Sequence, residues 1–234
     1  MPTTEFIVIR HGETAWNAQG RIQGHLDSPL NDEGLAQALM VGERMAHERF
    51  DALYSSDLGR ALQTVQPIAD RTGHPVMRNP RLRERHLGVF QGLTGAECER
   101  LHPAEYQRFH ARDPEHQVPG GESIRQVSEL VSGEFKRLAE QHQDAVVVVV
   151  THWGILDALY RFASGVPLDR RRDFPIYNAS LNFVRHSRGA WSVERWGDIS
   201  PPPLMCVMEQ LTKTDDALLV AFSLRNTTGL THKF

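Results

Sequence analysis

The chain has 234 residues, 40% of them hydrophobic and 24% charged, which is enough to bury one sizeable core and excludes a disordered chain. A formal net charge of -3 leaves no overall basic footprint, so nucleic acid and an anionic membrane are excluded as first partners, and any anion site must be local. Cys98 and Cys206 are too few and too far apart for a disulfide framework or a cysteine zinc site. With no signal-peptide core and no apolar run of the ~20 residues that span a bilayer, a cytoplasmic protein is expected.

Phe6–Ile9 is short and rich in β-branched residues, and reads as a strand buried on both faces. After the capping candidates Asn31 and Asp32, a stripe of Leu35, Leu39, Gly42 and Met45 predicts a helix with those residues facing the core. A second strand ends at Tyr54, Ser55–Asp57 are expected to cap the next helix, and Leu58, Ala61, Leu62, Val65, Ile68 and Ala69 give its buried side before Gly73. The stretch from Gly88 to Gly121 breaks the alternation. It holds Thr94 and Glu97 as a capping box and Pro103 as a first helical residue, and is expected to be an inserted helical lid whose His102, His110 and His116 are exposed. Ile124, Val127, Val131, Phe135 and Leu138 predict a third helix, capped by Glu122 and Ser123. "AVVVVV" at Ala145–Val150 reads as a central strand, and Ile155, Ala158, Leu159 and Phe162 as a fourth helix ending before Gly165. Ser180–Arg185 and Trp191–Trp196 suggest a hairpin at the sheet edge. Strands alternating with helices imply an α/β three-layer sandwich, its central sheet mostly parallel with helices on both faces. The expected organisation is one domain over 1–198, with the insert at 88–121, and a tail over 199–234 that is either disordered or docked through "ALLVAFSL".

Chemistry gathers where strands end. "FIVIRHGET" puts Arg10 and His11 at the carboxyl end of the first strand, and Gly12 lets the chain turn so that both can face one target. "VVVVVTHWG" repeats the arrangement, with His152 beside the free N–H groups of a helix start. "LYSSDLGR" brings Arg60 into the first turn of another helix. Two arginines, two histidines and helix N-termini converging there would make a pocket for a dianion, and phosphate fits it best.

The blocks "RHGETAWN", "RIQGHLDSPLNDEG", "SSDLGRALQT", "LRERHLGVFQG", "PGGES" and "THWG", in that order between Phe6 and Asp198, resemble the histidine phosphatase superfamily, also called the phosphoglycerate mutase-like family. The resemblance implies that His11 is the nucleophile that takes the phosphoryl group and that Arg10, Arg60 and His152 hold its oxygens. It also implies that Glu84 is the general acid, that Asn17 lies in a phosphate-contacting segment, and that Gln23 and Gly24 line the substrate mouth. Trp153 is expected in the substrate site, with Tyr106, Phe109, Tyr177 and Asn178 near enough to select the substrate. No cofactor and no metal are implied. The partner is a small phosphorylated substrate, and a homodimer is left open.

Blander readings stand beside these. Either histidine could be a structural or metal-binding residue, and either arginine a surface ion-pair residue. Glu84 lies in the charge run "RLRERH", while Asn17 and Gln23 could simply organise a loop. The insert contains Arg100, Arg108 and Arg112 but no lysine, which favours the phosphatase branch over a mutase. A phosphoprotein-binding module is the third reading, although its mark, loss of the nucleophile or the acid, is absent.

Overall fold

The computed structural model describes residues 2–201, so the expectation of a disordered or docked tail over 199–234 falls almost wholly outside the described residues. The predicted alternation is present as β1 (Thr3–Arg10), α1 (Ala15–Ala18), α2 (Asp32–Met45), β2 (Ala52–Ser55), α3 (Gly59–Thr72), β3 (Val76–Arg78), α4 (Gly95–Leu101), α5 (Pro103–His110), α6 (Ile124–Gln141), β4 (Ala145–Thr151), α7 (Trp153–Ser164), β5 (Leu181–Ser187) and β6 (Ala190–Asp198). The strands form one sheet in the order β3-β2-β4-β1-β5-β6. The pairs β2–β3, β2–β4 and β1–β4 are parallel, and β5 and β6 add the expected antiparallel hairpin at one edge.

Successive strand residues point to opposite faces, and here both faces are apolar. Phe6, Val8, Val147 and Val149 pack under α6 and α7 with Phe135, Leu138, Leu156 and Leu159. Ile7, Ile9, Val148 and Val150 pack on the other side with Val41, Met45, Ala61, Val65 and Ile68 of α2 and α3. The α/β sandwich with helices on both faces is therefore the observed fold.

The stripe expected on α2 is displaced. Leu35 and Leu39 are 45% and 52% exposed, while Gly34, Ala38, Val41, Gly42 and Met45 are buried. Gly34, Ala38 and Gly42 recur every four residues and so line one side of the helix. That side is flat enough for α3 to approach closely: a Cβ on Gly42 would lie 2.8 Å from the backbone carbonyl of Pro67. The leucines, one position along, are rotated away from this contact.

The insert has a core of its own, in which Phe90, Cys98 and Val118 are buried against Ile22, Leu87, Leu93, Tyr106 and Phe109. The Thr94–Glu97 capping box forms, and Pro103 is the first residue of α5. His116, expected on the surface, is buried with its Nε2 3.1 Å from Glu105.

Register then positions the site. Arg10 stands opposite Thr151 across β1 and β4, and Ser55 opposite Val150 across β2 and β4. The next residues, His11, His152 and Ser56, therefore emerge side by side at the carboxyl edge of the sheet.

Candidate active site

His11 is 2% exposed, and its backbone N–H donates to the Thr151 carbonyl at 3.0 Å. Its Nδ1 lies 2.7 Å from the Gly12 carbonyl, which can only accept, so Nδ1 carries the proton and Nε2 presents a bare lone pair. Gly12 N–H is fixed by the Thr64 hydroxyl at 2.9 Å, and Asn178 Nδ2 donates to the His11 carbonyl at 3.0 Å. Burial holds the His11 imidazole well below its ordinary pKa, with the charges of Arg10 and Arg60 adding to the effect, so the ring is neutral at neutral pH.

His152, fully buried, has its ring centre 5.2 Å from that of His11. Its Nε2 lies 2.8 Å from Ser56 Oγ, which already accepts the Leu58 N–H at 3.3 Å. With the Ser56 hydroxyl proton donated to Nε2, the His152 proton sits on Nδ1. Burial first, then Arg60 and His11, keep His152 well below its ordinary pKa. It is a neutral donor rather than an imidazolium.

Arg60 is 1% exposed and is held by the carbonyls of Gly24 (2.7 Å) and Leu26 (3.1 Å) and by Asp27 Oδ1 (3.1 Å). Asp27 also accepts the Gly59 N–H at 2.5 Å, so the start of α3 is capped from a distant loop. This corrects the expectation that Ser55–Asp57 cap it: Leu58 is the N-cap without a side-chain bond, and Asp57 pairs with Arg83. Arg10 donates to the Ile176 carbonyl at 2.8 Å, and burial brings its pKa down to about 10, so it stays cationic.

Glu84 Oε1 accepts the backbone N–H groups of Arg85 and Gly154, both at 2.9 Å. A Cβ on Gly154 would collide with this carboxylate, which explains why α7 has glycine in its first turn. Burial raises the Glu84 pKa, against the opposing pull of Arg60, the two N–H groups and Arg10.

Three buried donor atoms in this group have no protein partner among the described residues: Arg10 Nε, Arg60 Nε and His152 Nδ1. A buried donor without an acceptor is costly, and an oxyanion is the kind of group that satisfies such donors. Among the described residues no group of three or more His, Cys, Asp or Glu is placed to hold a metal ion, and no helix is long and apolar enough to cross a membrane.

The structure thus brings together Arg10, His11, Arg60, Glu84 and His152. Gly24 acts through its carbonyl on Arg60. Asn17 closes the capping box of α1 with Thr14 and lies 3.5 Å from Asn178, so its side-chain oxygen organises the loop. Gln23 is buried with its Oε1 unpartnered, and no side-chain bond links it to the five. Trp153 packs on the core with the Arg172 guanidinium 5.0 Å from its ring centre. Tyr106 and Phe109, named as residues able to select substrate, have ring centres 6.4 and 5.6 Å from that of Phe90, and the Arg85 guanidinium lies 5.7 Å from the Phe109 ring centre. Ser56, Asp27 and Thr64 escaped the sequence reading, since each acts on a partner that only the fold brings close.

The sequence pattern of the histidine phosphatase superfamily (branch 1) matches residues 6–199. Phosphoglycerate mutase-like protein 4 of Arabidopsis thaliana is 41% identical over 200 residues, covering 84% of this chain and 86% of the relative. The metal-independent phosphoserine phosphatase of the same plant is 39% identical over 201 residues, covering 84% and 82%. Among solved structures, Bacillus stearothermophilus YhfR superimposes with a TM-score of 0.79 at 31% identity, over 84% of this chain and 98% of that one.

Proposed function

The chain belongs to branch 1 of the histidine phosphatase superfamily, and on that premise we propose that it hydrolyses a small phosphomonoester through a phosphohistidine on His11. The observation that carries the reading is the set of three unsatisfied buried donors, on Arg10, Arg60 and His152, around a histidine whose free nitrogen is unprotonated.

In the first step the His11 Nε2 lone pair attacks phosphorus in line, the ester P–O bond breaks, and the departing oxygen takes the proton of Glu84. Arg10, Arg60 and the His152 Nδ1–H balance the charge on the other phosphoryl oxygens, without which the loose transition state is not stabilised. The Gly12 carbonyl, accepting from Nδ1–H, steadies the phosphorylated ring. In the second step Glu84, now a carboxylate, removes a proton from water while the water oxygen attacks phosphorus. The P–N bond breaks, and both residues return to their starting state with alcohol and inorganic phosphate released.

The same intermediate could pass its phosphoryl group to a hydroxyl of a bound sugar acid, as a mutase does. Hydrolysis is favoured by the insert, which has no lysine, and by its Arg112, which is tied to Asp157 at 3.2 Å and to the Leu168 carbonyl at 3.3 Å.

The test is phosphate release from para-nitrophenyl phosphate by the wild type and His11→Ala, with a chelator present, from pH ~5 to ~8. His11 must be neutral, and its lowered pKa keeps it so on the acid side; Glu84 must be protonated, and its raised pKa keeps it so further up the scale. The expected profile is a bell centred below neutrality, with a loss of at least ~10³ in His11→Ala. A variant as fast as the wild type, or a wild type silenced by chelator, would contradict the reading.

A further inference from the structure

We propose that His25 is the positioning residue of the general acid: one short loop, residues 24–27, holds the phosphate clamp through Gly24, Leu26 and Asp27 and the acid through the His25 ring, and so fixes the spacing between them. The inference rests on the hydrolase reading above, because that reading gives Glu84 a proton to deliver.

Glu84 lies in the connection between β3 and α4, where its backbone belongs to no helix or strand. A carbonyl outside regular structure needs a donor from elsewhere, and the Glu84 carbonyl finds one 59 residues away in His25 Nε2, at 2.6 Å. Because a carbonyl only accepts, Nε2 carries the His25 proton. His25 is braced in turn: its backbone N–H donates to Gln91 Oε1 at 2.7 Å, and the His86 ring meets its ring edge-on with centres 4.8 Å apart. Gly24 has a φ of 56°, and a Cβ there would collide with the Gln91 side-chain oxygen, so glycine is what lets Gln91 reach the loop.

The other three residues of the loop all hold Arg60. The carbonyls of Gly24 and Leu26 accept from its guanidinium at 2.7 and 3.1 Å, and Asp27 Oδ1 accepts at 3.1 Å. Clamp and acid are therefore tied to four consecutive residues. Elsewhere around the acid, Arg83 pairs with Asp57 through its side chain, and the N–H groups of Arg85 and Gly154 hold the Glu84 carboxylate. The His25 bond acts on the Glu84 peptide itself. A small rotation of that peptide swings the carboxyl group at the end of the side chain, and a misplacement of ~1 Å can cost ~10²-fold in rate.

Two aryl esters of similar shape separate the effects: para-nitrophenyl phosphate, whose nitrophenolate leaves readily without a proton, and phenyl phosphate, whose more basic phenolate needs one. His25→Phe keeps a ring and removes the donor, and its kcat/KM for phenyl phosphate is expected to fall about 10-fold further than that for para-nitrophenyl phosphate. His25→Gln, whose amide can donate to the same carbonyl, should restore most of the wild-type ratio. Equal losses on both esters, which damage to the Arg60 clamp or to the fold produces, or no loss on either, overturn the role of His25 and leave the hydrolase reading standing. If the wild type hydrolyses neither ester, the hydrolase reading fails, and a carbon-13 titration of the Glu84 carboxyl in the same proteins decides the placement. A lower pKa in His25→Phe, from a carboxyl released toward water, supports it, and an unchanged one overturns it. The wild type alone gives a further check: at pH ~8 the nitrogen shifts of His25 must show the Nε2–H tautomer, and an Nδ1–H pattern overturns the bond.

Discussion

In the proposed reaction His152 donates to phosphate without a charge of its own, which needs its tautomer fixed from behind, and Ser56 is placed to do this. Ser56→Ala removes the donor to Nε2, so the proton can move there and leave Nδ1 facing the substrate as an acceptor. The expected loss is about 10- to 100-fold in kcat/KM, and the nitrogen chemical shifts of His152 by NMR should change from the Nδ1–H pattern to a mixture. Unchanged shifts with a slowed enzyme would contradict this role. Ser56 acts across 96 residues of sequence, Asp27 on Arg60 across 33, and Thr64 on Gly12 across 52. These partnerships depend on strand register and loop path, which no local window contains. Arg10, His11, Arg60 and His152 were legible because each is embedded in a short block at an element's end, and Glu84 because it lies in the block "LRERHLG" of the connection between β3 and α4. Trp153 was legible as a position beside His152, but its stacking with Arg172 was not.

At the scale of the element, α2 shows how a periodic stripe can mislead. Leu35 and Leu39 satisfy the helical period as well as Ala38 and Gly42 do, and a leucine counts for more in a pattern than a glycine. What decides the buried side is how closely α3 can approach, and that depends on small residues. Gly42→Ala raises helix propensity by about 1 kcal/mol, yet its Cβ would press on Pro67. It should destabilise the protein by a net ~1–3 kcal/mol in urea unfolding. Leu39→Ala should cost no more than about 0.5 kcal/mol. The reverse order would mean that the α2 face has been misassigned. The valine run of β4 was the opposite case, since a strand buried on both faces is apolar throughout and has no stripe to misplace.

For the whole molecule, the sheet's carboxyl edge gathers Arg10, Arg60 and two neutral histidines, and three of their buried donor atoms lack a partner among the described residues. His11 and His152 have folded pKa values lowered from about 6.5 by burial, so on acidification the unfolded chain takes up protons first. Their contribution is fully present above that pH and is lost below it, at up to about 1.4 kcal/mol per histidine for each pH unit. Glu84 has the opposite sign: its raised pKa stabilises most below the ordinary carboxylate value and loses effect as pH rises through the folded value. With two histidines against one acid, the melting temperature should fall from pH ~7 to ~5, and inorganic phosphate should restore part of it by binding the folded state. A melting temperature that rises on acidification would contradict the neutral assignment of both rings. The central claim is that phosphorus passes through His11, and rapid quenching with a radiolabelled phosphomonoester tests it most directly. The account predicts protein-bound label that survives alkali, is lost in acid and is absent from His11→Ala; label that is stable in acid, or that persists in the variant, would contradict it.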